Sequence, residues 1–289
     1  MTVSLIVNPS AGNGRTTPAL AAVLAELGRR GLAPQLESTL SLEHARQLAR
    51  AAADAGQMPV AFGGDGLIGA VADSLAHTGV SFGILPGGRG NDIARVLGIP
   101  RDPVAACAVL SDGRDRRIDL GRIGRSRFIG ILSCGLDAQA NAIANGTRWV
   151  HGPLAYSYGA LRALGLWRPA EFRLTLDGTP LTFTGYSVAI ANSRSYGGGM
   201  LIAPDAEPDD GAFDVVLIGG MSKLRMLAHM PGIFLGRHVR LPEVTVLRAR
   251  TVTLAADRGL AVYADGEPQG ALPSTVTLDA GAACVRVPA

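Results

Sequence analysis

The sequence predicts two domains, an N-terminal α/β domain with a mostly parallel sheet and a β-sandwich-like C-terminal domain. Two observations predict it. Strand-length apolar runs alternate with helix-spaced apolar residues through residues 1–119. From residue 120 to about 279, short segments of period two follow one another between turn residues. The tail, about 280–289, is expected to return to the first domain. No low-complexity linker marks the boundary, which is read from the change of pattern.

The elements follow in order. Val3–Val7 reads as a buried strand, and Leu20, Val23, Leu24 and Leu27 recur at helical spacing. Ser41, an N-cap type residue, opens a helix reaching Gly56. Val60–Phe62 is a strand, Leu67–Leu75 a helix, Phe82–Leu85 a strand and Asn91–Leu97 a helix. Beyond the boundary, Phe172–Leu176 alternates up to Asp177-Gly178 and resumes at Thr182–Thr184, which predicts a hairpin with a tight turn. Tyr186–Ala191, Phe213–Ile218, Val244–Leu247, Thr251–Leu254, Leu260–Ala264 and Thr275–Leu278 read as strands. Helical stretches interrupt them around Leu154–Trp167 and Ser222–Leu235.

Composition excludes several classes. Hydrophobic residues make up 47% and charged residues 18%, which argues against a disordered chain. A net charge of +3 is too small to argue for nucleic acid. No apolar run of about 18 residues is present, so no spanning helix is expected. Val3–Val7 stops at Asn8-Pro9 without a cationic lead, so no secretory signal is expected. Cys107, Cys134 and Cys284 are odd in number and widely spaced, which fits a reducing compartment better than a disulfide framework.

Chemistry concentrates in glycine-rich junctions. Gly63-Gly64-Asp65-Gly66 lies between a strand and a helix, where backbone N–H groups and the helix N-terminus can receive an anion. A carboxylate there makes sense as a holder of a metal bridging phosphates. Gly87-Gly88-Arg89-Gly90-Asn91-Asp92 repeats the arrangement, and Asp92 reads either as a metal ligand or as a helix cap. Strand ends of a parallel sheet open on one edge, so the two loops suggest a shared phosphate and Mg²⁺ site. Asn8–Arg15 is a third small-residue loop, either facing that edge with Arg15 near phosphate or serving as an ordinary turn.

With these loops, Asp119-Leu120-Gly121, Gly135-Leu136-Asp137-Ala138, Gly197-Gly198-Gly199, Pro204-Asp205-Ala206, Asp209-Asp210-Gly211 and Asp265-Gly266-Glu267 complete an ordered set. That set resembles the diacylglycerol kinase catalytic family, which includes bacterial lipid kinases and sphingosine kinases. The resemblance implies a Rossmann-like first domain of the kind shared with NAD kinases. It also implies an ATP- and Mg²⁺-dependent lipid kinase, most simply one making phosphatidic acid from diacylglycerol. By the same resemblance, Asn8, Arg15, Thr39, Gly63, Gly64, Asp65, Gly66, Leu67, Gly88, Arg89 and Asn91 would contact nucleotide. Asp65, Asp92 and Asp119 would arrange the catalytic Mg²⁺, and Glu267 would be the base that takes the hydroxyl proton. Asp210, with the carbonyls of Glu207 and Ala212, would bind a second, structural Mg²⁺.

The sequence departs from the family pattern at Leu67 and Arg89, where threonines are usual, and at Gly69, where asparagine is common. Arg89 would either pair with phosphate or fill the pocket. The alternatives are a non-catalytic lipid-binding protein on the same fold and an NAD kinase-like enzyme. The second lacks support, since no Asn-Glu dipeptide occurs. Expected partners are a membrane lipid, the membrane surface by peripheral contact from the cytoplasmic side, and optionally a second copy of the chain. The helices around Tyr156–Trp167 and Leu224–Leu235 are apolar with flanking arginines and read either as interfacial or as core-packed. The cluster Arg114, Arg116, Arg117, Arg122, Arg125 and Arg127 reads as a solvated hairpin or an attractor of anionic lipid.

Overall fold

The structure is a computed structural model that describes residues 2–9, 11–13, 16–146 and 153–289. It divides into two compact units, Met1–Leu120 with Asp279–Ala289, and Gly121–Leu278.

The first unit runs β1 (Thr2–Val7), α1 (Thr16–Arg29), β2 (Ala33–Ser38), α2 (Leu42–Asp54), β3 (Met58–Gly63), α3 (Asp65–Ser74), β4 (Ser81–Pro86), α4 (Asp92–Val96) and α5 (Pro103–Asp112). The next strand, β5 (Arg114–Ile123), closes it. Its parallel strands lie in the order β2-β1-β3-β4. Cys284 and Val285, near the end of the last strand, β15 (Ser274–Val287), pair parallel with β4. β3 is buried at all six positions, as a strand covered on both faces should be. β2 is largely exposed and forms the edge, which is why its polar sequence gave no strand signal. In α2, Ala45, Ala49 and Ala52 are buried on one stripe, and the Ser41 hydroxyl accepts the His44 N–H as N-cap. α5 was not expected, although Asp102-Pro103 signals it. The Asp102 carboxylate accepts the N–H groups of Val104 and Ala105, with Pro103 at the first helical position.

From β1 the chain goes to β2 on one side and then to β3 on the other. The sheet therefore has a switch point between β1 and β3, where α/β sheets open a crevice at their carboxyl edge.

The second unit continues with β6 (Ser126–Phe128), β7 (Ile131–Gly135), α6 (Leu136–Gly146), α7 (Pro153–Leu166), β8 (Ala170–Leu176), β9 (Thr179–Ala191) and β10 (Phe213–Gly219). Then come α8 (Lys223–Ile233), β11 (Val244–Ala249), β12 (Thr251–Ala256), β13 (Ala261–Ala264) and β14 (Glu267–Ala271). The first half of β9 pairs with β8 and its second half with β7 and β10, all antiparallel. The expected hairpin turn is present, with φ 47° at Asp177 and 90° at Gly178. The Asp177 carboxylate also accepts the Thr251 N–H at 2.7 Å. A core of Phe128, Phe172, Tyr186, Ile190, Phe213 and Val252 fills the unit. The arginine cluster lies on β5 and the β5–β6 hairpin, with Arg122 opposite Arg127.

Candidate nucleotide and phosphoryl-transfer site

Three loops leave the carboxyl ends of β1, β3 and β4 and are tied together by backbone bonds. The Asn8 N–H donates to Phe62 O at 3.2 Å, and the Gly87 N–H to Gly63 O at 2.8 Å. The Thr16 hydroxyl donates to Asn8 O at 2.9 Å, joining the first loop to the start of α1. The glycines are required by close approach. A Cβ on Gly88 would lie 2.5 Å from Gly64 Cα, one on Gly87 would lie 2.5 Å from the Thr16 methyl, and one on Gly63 would lie 2.8 Å from Leu67 Cδ2. The backbones of the two glycine loops thus touch.

This packing yields a prediction. Gly88→Ala meets backbone and must push the loops apart, whereas Gly64→Ala meets Gly88 Cα at a milder 3.3 Å. Gly88→Ala is expected to destabilise the protein by roughly 1–3 kcal/mol and Gly64→Ala by less. Thermal unfolding checks the order, and equal melting temperatures would contradict it.

Within this frame several expected ligand positions have structural partners. Asn91 is left-handed, φ 51°. Its amide oxygen accepts the Gly88 N–H at 2.8 Å and its amide nitrogen donates to Gly88 O at 3.2 Å. The Thr39 hydroxyl donates to Ser41 O at 2.6 Å, and its N–H to Val7 O at 2.9 Å. Leu67 is buried against Gly63, and Arg89 is exposed rather than packed into the loop. Arg15 lies outside the described residues. The N–H groups of Asp65 and Gly66 lie in the first turn of α3, where no intrahelical acceptor exists.

Asp65 is therefore the first residue of a helix, not a loop residue. Its Oδ1 accepts the Ile93 N–H at 3.0 Å and so caps α4 from a different element. Burial raises its pKa above the ordinary carboxylate range. The Ile93 N–H opposes that shift and the nearby Asp92 charge adds to it. Asp92 pairs with Arg95 at 2.5 Å, and the Asp119 carboxylate accepts the Gly281 N–H at 2.7 Å. Among the described residues, no group of three or more His, Cys, Asp or Glu side chains forms a ready metal cage. Two neighbouring carboxylates of hard oxygens, Asp65 and Asp92, do fit Mg²⁺, which is usually held by one or two carboxylates plus phosphates and water.

In the second unit, Asp265 (φ 49°) and Gly266 (φ 84°) form the β13–β14 turn. The Asp265 carboxylate accepts the N–H groups of Ile129, Gly130 and Ile131 at 2.9, 2.9 and 3.1 Å. Glu267, the first residue of β14, is exposed. Asp210 accepts the Ala212 N–H at 3.1 Å and pairs with Arg248 at 2.6 Å, while Glu207 pairs with Arg194. A guanidinium thus stands beside the carboxylate that the resemblance assigns to a structural Mg²⁺. An open groove of about 610 Å³ is lined by Ala138, Gln139, Trp167, Arg168, Arg258 and Leu260, among others. The Arg258 guanidinium lies 5.2 Å from the centre of the Trp167 ring.

Residues 2–123 match the diacylglycerol kinase catalytic domain, and residues 130–287 match the YegS C-terminal NAD kinase beta sandwich-like domain. A diacylglycerol kinase of Mycobacterium tuberculosis is 38% identical over 283 residues, covering 95% of this chain and 91% of that protein. The chain belongs to the diacylglycerol kinase family. A "probable lipid kinase YegS-like" of Chromohalobacter salexigens is 30% identical over 84% of this chain and 80% of its own length. The crystal structure of a diacylglycerol kinase from Bacillus anthracis shares the fold, with a TM-score of 0.76 at 19% identity, covering 99% of this chain and 96% of that one. Like its relatives, this diacylglycerol kinase family member is a lipid kinase by class.

One buried group of this lipid kinase had been read from the sequence only as part of a motif. Asp137 opens α6 after Gly135 (φ 116°), the same strand-glycine-helix arrangement as Asp65. Tyr196 donates its hydroxyl to Asp137 Oδ2 at 3.4 Å, while Oδ1 is buried without a partner among the described residues. Burial pushes the Asp137 carboxyl up to about 6. The folded state therefore holds a proton between about pH 4 and 6 that the unfolded chain releases, so this group's contribution to stability falls as pH rises through that window. Asp137→Asn cannot titrate. Its melting temperature relative to wild type is expected to rise by several degrees from pH 4.5 to 7.5, reflecting roughly 1–3 kcal/mol. Parallel melting curves across that range would contradict the assignment.

Proposed function

We propose that this enzyme transfers the γ-phosphoryl group of ATP to the free hydroxyl of diacylglycerol, forming phosphatidic acid and ADP. The observation that carries the reading is the edge built by the β1, β3 and β4 loops, in which the glycine backbones of the β3 and β4 loops touch beside the N-terminus of α3. Phosphates need N–H donors and a positive helix end, and such an edge supplies both. Asp65 and Asp92 would hold Mg²⁺, which when bound draws charge from the β- and γ-phosphate oxygens. The acceptor oxygen forms the new bond to the γ-phosphorus as the bond to the bridging oxygen of ADP breaks. Glu267 takes the departing hydroxyl proton, and its exposed carboxylate, unlike that of Asp265, is not held by backbone N–H groups. Arg95 fixes Asp92, and Asn91 fixes the Gly88 peptide. The groove beside Trp167 and Leu260 is of a size that suits an acyl chain. The reaction belongs at the cytoplasmic face of a membrane, the side that holds ATP.

The test is a panel of lipid alcohols, including diacylglycerol, ceramide and a sphingoid base, offered with labelled ATP to the purified chain. Diacylglycerol is expected to show the highest kcat/KM. Preference for another alcohol would overturn the acceptor assignment, and phosphorylation of NAD alone would overturn the lipid reading.

A further inference from the structure

We infer that α8 and the turn that follows it form the surface by which this enzyme rests on an anionic bilayer. The inference builds on the proposed lipid acceptor, since an enzyme acting on diacylglycerol must reach it in a membrane. The observation itself concerns one helix with two opposed apolar faces. On the inner face, Met226 is buried, and Met230 packs against the core of the second unit. On the outer face, Leu224 is 81% exposed, Leu227 43%, Phe234 53% and Leu235 62%. Ala228 and Pro231 are exposed as well. Positions 224, 227, 228, 231 and 235 recur at helical spacing, so these side chains line one stripe directed away from the core. Four of the nine large hydrophobic side chains exposed among the described residues belong to this element, so they form a patch and are not scattered singly.

The charge around the stripe is mostly positive. Residues 215–242 contain no Asp or Glu, and Lys223, Arg225, Arg237 and Arg240 are all exposed; of these, Arg225 pairs with Glu243 at 3.0 Å and Lys223 donates to Gly165 O at 2.6 Å. Exposed apolar side chains flanked by cations are what the headgroup boundary of an anionic membrane accepts, because the side chains enter the acyl region while the cations meet lipid phosphates. A second copy of this chain suits the patch less well. A two-fold contact through α8 would bring both sets of cations together. The element is also held in place. The Ser222 hydroxyl accepts the Arg225 N–H at 3.2 Å, and the Leu201 N–H donates to Ile233 O at 3.0 Å. The turn at Gly236 (φ 65°) is packed so that a Cβ there would lie 2.5 Å from Pro204. The stripe is thus presented by a fixed helix.

The experiment uses the full chain, wild type and Leu224→Ser/Leu235→Ser. Both are sedimented with vesicles of equal parts phosphatidylglycerol and phosphatidylcholine, or of phosphatidylcholine alone. Both are then assayed on diacylglycerol embedded in the anionic vesicles and on dihexanoylglycerol, a short-chain form dissolved as monomers. Wild type is expected to bind the anionic vesicles and not the neutral ones. The variant is expected to lose at least about tenfold in partitioning and in activity on embedded substrate, with melting temperature and turnover of monomeric substrate unchanged. Vesicle binding by wild type that the variant loses supports the surface even if no lipid is phosphorylated, a result that would instead remove the proposed acceptor. Equal vesicle binding by the two proteins would overturn the inference, as would no binding by wild type. A wild-type dimer that the double substitution dissociates would overturn it in favour of a second copy.

Discussion

Asp65→Asn is expected to lower kcat by about 10²–10³-fold or more while the protein stays folded. Asp65 has two duties. It would hold Mg²⁺ with Asp92, and it accepts the Ile93 N–H that opens α4. Asparagine keeps an oxygen for that N–H but loses the charge, so it separates the two. Asp65→Ala removes both and is expected to be equally inactive and, in addition, less stable by about 1 kcal/mol, the usual cost of a lost cap. The raised pKa adds a pH signature. A proton competes with the metal for this carboxylate, so the Mg²⁺ concentration needed for half-maximal turnover is expected to increase as pH falls toward the acid range. Turnover against Mg²⁺ concentration, with melting temperatures for both variants, checks each part. Near-normal turnover in Asp65→Asn would remove Asp65 from the metal site.

Glu267→Gln is the second large effect. An alcohol is a weak nucleophile until its proton leaves, and a positioned carboxylate that accepts the proton contributes typically about 10²–10⁴-fold. Glutamine keeps the shape and the hydrogen-bonding oxygen but is a far weaker base. A fall in kcat within that range is expected, with ATP binding and melting temperature retained. Asp265 serves as the internal control. Its carboxylate accepts three backbone N–H groups from 129–131, so Asp265→Asn is expected to lower the melting temperature first and turnover only as a consequence. If Glu267→Gln leaves kcat unchanged, the proton goes to another acceptor.

How much of this was legible in the sequence depended on whether the deciding contacts were local. β1 and β3 lie in the middle of the sheet, so they read as continuous apolar runs. β2, with the sequence Ala-Pro-Gln-Leu-Glu-Ser, sits at an edge and left no pattern to read. β14 begins Glu-Pro-Gln-Gly, which looks like a turn, and becomes a strand only because β13 pairs with it. The fourteen residues of β15 showed only the stretch from Thr275 to Leu278, because small and polar residues follow.

The site divides in the same way. Glycines at strand–helix junctions announced the glycine-loop edge proposed for phosphate, since their spacing is local. How the named side chains are held there was not announced, because their partners are distant in sequence. Asp65 caps a helix 28 residues away, and Asp265 is held by backbone more than 130 residues away. Thr39 and Asn91, expected at the nucleotide, also hydrogen-bond within their own loops, which the sequence did not show. Asp137 sits in a motif of the same form as Asp65, but only burial reveals its shifted carboxyl.

The central claim, phosphoryl transfer from ATP to diacylglycerol, is tested most directly by ³¹P NMR of the lipid extracted after incubating the purified chain with Mg-ATP and dioleoylglycerol. The account expects a phosphatidic acid phosphomonoester that grows in step with ADP and is absent with Glu267→Gln. ADP without a lipid phosphomonoester, or no consumption of ATP at all, would contradict it.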